Sequence, residues 1–153
     1  MKKTQIDSFN IIGIKARTTN ANMQAAKDIP ALWGKFMSDD VLSKINHKQN
    51  NDVYAIYTNY ESDFTEAYDI IIGCKVDQLK DIPEDMIGIQ IAKGNYEAFS
   101  AEGKLEDNIV YNKWMEIWNN TDLDRKYEAD FEVYPADVDQ QKETEVKIYI
   151  STE

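Results

Sequence analysis

Apolar residues recur along this chain with two periods, and the switch between them marks out its elements. Residues 9–17 (Phe-Asn-Ile-Ile-Gly-Ile-Lys-Ala-Arg) read as a strand. Leu32, Trp33, Phe36, Met37 and Val41 recur at spacings of three and four, which predicts a single apolar stripe on a helix. Asp28 is placed to cap that helix, with Pro30 near the first turn, where a missing N–H is harmless. The polar run from Asn46 to Asp52 predicts a loop. Val53 to Tyr60 reads as a strand, Glu61-Ser62-Asp63 as a turn, and Tyr68 to Val76 as a strand rich in isoleucine. Residues 77–86 form an acidic connector that contains Pro83.

The same order then returns. Ile87 to Ala92 and Tyr96 to Ala101 predict two strands around Gly94-Asn95, which reads as a hairpin turn. A helix follows from about Glu106, with Val110, Trp114, Ile117 and Trp118 on one face. Tyr127 to Tyr134 and Val146 to Ile150 supply the last two strands. Each half therefore reads strand, helix, strand, strand, with halves at about 5–80 and 85–153. Local echoes agree: Leu32-Trp33-Gly34-Lys35-Phe36 matches Lys113-Trp114-Met115-Glu116-Ile117-Trp118 in position and chemistry. The predicted class is α+β, folded as one domain over residues 1–153, with no linker or low-complexity stretch. Neither half closes a large core alone, so the two would pack together and leave a groove at their junction.

Composition narrows the function. There is no run of about 18 apolar residues to cross a membrane, and no apolar core of a signal peptide follows Lys2-Lys3. A single cysteine, Cys74, makes no internal disulfide. Together these point to the cytoplasm. The net charge of −11 argues against binding nucleic acid, which needs clustered Lys and Arg. It fits attraction of cationic ligands, mimicry of nucleic acid toward a DNA-binding enzyme, or plain solubility.

Reactive side chains are scarce. His47, the only histidine, lies in the hydrophilic loop, and Cys74 lies inside an apolar strand. No Cys/His cluster for zinc exists, Gly94 to Gly103 lacks phosphate-loop spacing, and no nucleotide signature appears, so no metal, cofactor or catalytic residue is assigned. Carboxylates and aromatic rings remain. In residues 127–134, Tyr127, Ala129, Phe131 and Val133 alternate with Glu128, Asp130, Glu132 and Tyr134. Glu132 is then either one of several acids on a wet strand face, or a partly desolvated carboxylate in the junction groove. In the groove, a bound organic cation would offset the desolvation, and neighbouring rings would add cation–π attraction. Candidate walls are Trp33, Tyr57, Tyr60, Phe99, Trp114, Trp118 and Tyr134, with core packing the ordinary alternative for the helical tryptophans.

The ordered set of segments resembles the GyrI-like small-molecule-binding domain, which is also the effector-binding domain of AraC-type and MerR-type multidrug-responsive transcription regulators. The matching pieces are Gly13 to Asn20, Ile29 to Phe36, Tyr54 to Asp63, Tyr68 to Gly73, Gly94-Asn95-Tyr96, Trp114 to Trp118, and Asp130 to Tyr134. The resemblance implies two strand-helix-strand-strand modules forming a curved antiparallel sheet with two main helices, and a ligand groove where they meet. It also implies that Glu132 stands where the family contacts lipophilic cations. Regulators of this type carry a helix-turn-helix domain ahead of the effector domain. Here the first strand begins by about residue 9, so a stand-alone binder, a ligand sink or a partner to another protein is expected.

The favoured expectation is a non-enzymatic binder of amphipathic, cationic or aromatic molecules that touches neither DNA nor membrane. Two alternatives stay open. One is a hydrolase of electrophilic small molecules, with Glu132 activating water and Tyr57 or a tryptophan orienting the substrate. The other is an acidic protein that binds a regulator or inhibits DNA gyrase.

Overall fold

The computed structural model describes residues 2–63, 65–120, 122–136, 139 and 141–153. Eight strands and three α-helices follow in the order β1 (Lys2–Ile6), β2 (Phe9–Thr19), α1 (Gln24–Ser38), α2 (Val41–Lys44), β3 (Val53–Thr58), β4 (Ala67–Val76), β5 (Ile87–Ile91), β6 (Gly94–Lys104), α3 (Ile109–Trp118), β7 (Ala129–Tyr134) and β8 (Glu143–Thr152). The strands form one antiparallel sheet in the order β1-β6-β8-β7-β3-β4-β2-β5. β2, α1, β3 and β4 make one strand-helix-strand-strand module, and β6, α3, β7 and β8 make the other. The modules join through β3 and β7, where Ala55 stands opposite Glu132 and Tyr57 opposite Asp130.

The predicted hairpin at Gly94-Asn95 is not present. β5 pairs with β2, and β6 pairs with β8 and β1, so two strands adjacent in sequence lie near opposite edges of the sheet. The strand that precedes each module is thus exchanged: β1 extends the second module and β5 the first. This exchange dictates the curvature. β1 and β2 are six places apart in the sheet, about 29 Å if it were flat. The two residues between them allow the chain to span only about 11 Å. The same holds for β5 and β6. The sheet must therefore curl until its edges meet, and Ile6, Phe9, Ile91, Tyr96 and Phe131 fall into one apolar cluster inside the curl. Gly13 and Gly73 face each other across β2 and β4, and a Cβ on either would sit 2.2 Å from the opposing strand's backbone.

The helices cover the other face. Leu32 and Phe36 of α1 and Val41 of α2 bury against Ile12, Ile14, Ile70 and Ile72. Trp114 and Ile117 of α3 bury against Ile148 and Ile150. Met37 leaves the predicted stripe and is 73% exposed. It sits about 140° around the helix from Leu32, whereas Phe36 is displaced by only about 40°.

Four other expectations shift. β1 is largely polar and takes its strand form from pairing with β6, so periodicity missed it. Asp28 is not the helix cap, because α1 begins at Gln24; its carboxylate accepts a hydrogen bond from the Gln24 side chain at 2.9 Å. Pro30 lies inside the helix, where the Ala26 carbonyl loses its usual N–H donor. The strands predicted to reach Tyr60 and to begin at Tyr127 stop at Thr58 and start at Ala129, because Asn59 and Tyr127 both adopt positive φ. Among the described residues no helix is long and apolar enough to cross a membrane.

Candidate functional site

The site grows out of the seam between modules. Alternation on β7 turns Phe131 and Val133 into the curl, and Glu132 toward the helices. There Glu132 is 2% exposed. Three neutral groups donate to it. The Tyr134 hydroxyl reaches Oε1 at 2.7 Å, while the Tyr57 hydroxyl (3.1 Å) and the Trp114 indole N–H both reach Oε2. A carboxylate offers about four acceptor positions, so one on Oε1 is left over. No Lys or Arg among the described residues forms an ion pair with Glu132. Burial raises its pKa above the ordinary 4.5, and the donors from Tyr134, Trp114 and Tyr57 only partly oppose this. Burial, reinforced by the Glu132 charge, pushes the phenols of Tyr57 and Tyr134 well above their usual range, so both stay protonated as donors.

The rings around Glu132 come in two pairs, and each pair takes one ring from each module. Trp33 of α1 meets Tyr134 of β7 edge-to-face at 5.0 Å. Tyr57 of β3 meets Trp114 of α3 edge-to-face at 5.4 Å. Trp118 extends the second pair, 6.1 Å from Trp114. Phe99 packs on the same cluster and pairs with Ile148, which in turn pairs with Glu132. Thus six of the seven predicted wall residues gather around Glu132 or the cluster beside it.

Tyr60 belongs elsewhere. Its hydroxyl donates to Asp130 at 2.6 Å. Asp130 is fully buried and also receives Arg125 Nη2 at 2.8 Å and the Ser151 backbone N–H at 2.7 Å. The Arg125 guanidinium lies 4.2 Å from the Tyr127 ring, and Tyr127 in turn meets Tyr60 edge-to-face. Sequence reading missed this second acid. The signal was present, since Asp130 shares the strand parity of Glu132, but its cation comes from the irregular segment before β7. Tyr68 was also missed. It contacts both Tyr57 and Tyr60, and its hydroxyl donates to Asn20 at 2.7 Å, tying β4 to the start of the first helical segment.

The sequence profile of the integron-associated effector-binding proteins, the Cass2 family, matches residues 4–151. This chain belongs to that family. An integron cassette protein from the mobile metagenome of Vibrio cholerae is 31% identical to this Cass2-family chain, with a TM-score of 0.78 over 99% of this chain and 95% of its own. A candidate transcriptional regulator of Bacillus subtilis (strain 168), YobU, is 28% identical over 97% of this chain and 94% of its own length. SAV2435, solved bound to tetraphenylphosphonium, shares the fold at a TM-score of 0.81 with 21% identity, over 99% of this chain and 93% of that one. The GyrI-like α+β architecture of two modules is thereby established for the chain, as is its place among effector-binding proteins.

Proposed function

We propose that the protein binds amphipathic aromatic cations in the junction between its modules, with Glu132 as the anchor. The observation that carries this reading is the state of Glu132: buried, held by three neutral donors, and without a cationic side chain among the described residues. A ligand cation would supply the missing charge, and Trp33, Tyr57, Trp114 and Tyr134 would supply ring faces, with Phe99 and Trp118 behind them. Relief of the desolvation penalty then contributes to ligand affinity. The tetraphenylphosphonium bound by SAV2435 is a cation of this kind, lipophilic and lacking hydrogen-bond donors. Because Glu132 is covered, the cation enters by parting the two ring pairs. Rings and one carboxylate select for charge and flatness more than for shape, so specificity is broad.

Fluorescence titration with a rhodamine, or calorimetry with tetraphenylphosphonium, tests this directly. Glu132→Gln should weaken binding by at least about tenfold, or about 1.4 kcal/mol. Unchanged affinity in that variant, or no binding by the parent, would remove the proposal. The raised pKa of Glu132 also suits a base that activates water, which keeps hydrolysis of an electrophilic ligand as the second reading. Product formation that is lost in Glu132→Gln would distinguish it from binding alone.

A further inference from the structure

The face of the sheet that carries no helix has a cavity of its own, of about 400 Å³, inside the curl. Its walls are the rings of Phe9, Tyr54, Phe131 and Tyr149. Phe131 stacks on Tyr149 at 4.9 Å and meets Phe9 edge-to-face at 5.3 Å, while Tyr54 lies 5.7 Å from Phe9. Strand alternation separates this cavity from the first site, because Phe131 and Val133 point into it and Glu132 points away.

The charges at its margin are not equivalent. Lys75 is half-buried, with Nζ 5.5 Å from the centre of the Phe9 ring. Lys147 is exposed on the neighbouring part of the rim. Neither lysine pairs with a carboxylate among the described residues. Two acids also line the cavity. Asp52 already accepts the Ala136 N–H at 2.9 Å, and Glu145 is exposed to water, where its field is screened. Of the two half-buried charges, Asp52 already holds a hydrogen-bond donor, whereas the Lys75 ammonium makes no hydrogen bond among the described residues, so the group left for a ligand to satisfy is positive.

We propose that this cavity is a second binding site and takes a flat aromatic carboxylate. The ring lies among Phe9, Tyr54, Phe131 and Tyr149, offset or edge-on as aromatic pairs prefer. The carboxylate meets Lys75 at depth and Lys147 at the rim in charge-assisted hydrogen bonds. The two faces of one sheet then select ligands of opposite charge.

The test is a titration of the full chain with 2-naphthoate, followed by NMR of the aromatic side chains. Saturable shifts are expected at Phe9, Tyr54, Phe131 and Tyr149. Lys75→Met keeps the apolar stem and should weaken binding about tenfold. Lys147→Met, at an exposed position that folding tolerates, should weaken it less. Added salt should lower the affinity, 2-naphthylmethylammonium should leave these four rings unshifted, and tetraphenylphosphonium should not displace the naphthoate. The proposal is overturned if naphthoate fails to saturate at millimolar concentration, if its shifts centre on Tyr57 and Trp114, if neutral naphthalene or the ammonium analogue binds as well, or if both lysine variants bind like the parent.

Discussion

Asp130 and Glu132 stand two residues apart on the same strand, and both are almost wholly withdrawn from water. Asp130 has its countercharge inside the protein: Arg125, whose side chain is only 6% exposed, at 2.8 Å, with Tyr60 and Ser151 completing its hydrogen bonds. Among the described residues Glu132 has three donors and no countercharge. The first arrangement is a closed structural unit that ties the segment before β7 to β8 and to the residues that follow β3. The second is a carboxylate whose compensation must come from a proton or from a ligand. A buried acid on a strand is thus not by itself a binding site. What separates the two is whether the fold supplies the cation, and the proposed function rests on that difference.

The contrast can be broken first at Asp130. Arg125→Met leaves that carboxylate buried without its partner, and the expected loss is about 3 to 5 kcal/mol in urea unfolding. A loss below about 1 kcal/mol would mean that the pair is not what holds Asp130. At Glu132 the equivalent insult should run the other way. Glu132→Gln removes a buried charge that no described residue pairs, so stability at neutral pH should rise, on the order of 1 kcal/mol, while cation affinity falls. A variant that loses both stability and affinity would make Glu132 a structural acid like its neighbour.

Acid titration sharpens the same point. The folded pKa of Glu132 lies above the ordinary 4.5, so the folded chain holds this proton more tightly than the unfolded chain. The contribution to stability is fully present below the ordinary carboxylate pKa and is lost as pH rises through the raised folded value. Chemical denaturation at a series of pH values should show that decline in the parent and its absence in Glu132→Gln. A bound cation favours the ionised carboxylate, so binding should release a proton within this pH window, which calorimetry in buffers of different ionisation enthalpy detects. The smallest effect is expected at Tyr134→Phe. It deletes one of the donors to Glu132 and should lower stability by about 0.5 kcal/mol at neutral pH while leaving cation binding in place.

Several of these features are legible along the chain. Alternation in residues 127–134 correctly puts Glu132 opposite Phe131, and helical spacing correctly buries Leu32, Phe36, Trp114 and Ile117. The aromatic stock around Glu132 was also visible, because few other side chains with useful chemistry are present. Other features were not legible. A period reports which side of a strand meets apolar surroundings, and says nothing about which strand lies alongside. That is why β5 and β6 read as a hairpin although they lie near opposite edges, and why polar β1 went unseen. Tyr60 and Tyr57 looked interchangeable for a related reason: both are tyrosines of one segment, but their hydroxyls reach different acids.

By itself the sequence determined most of the types and order of the elements, the alternation that sets Glu132 opposite Phe131, and a supply of rings with almost no rival chemistry. Tertiary structure alone decided that Glu132 faces the buried side under the helices, that the strands preceding the modules are exchanged, that the sheet curls, and that Arg125 reaches Asp130 and not Glu132. The physical reason is the range of the forces. Side-chain alternation and helical periodicity are local and are written into neighbouring residues. Compensation of a buried charge depends on a few ångströms between groups that the fold brings together from separate segments.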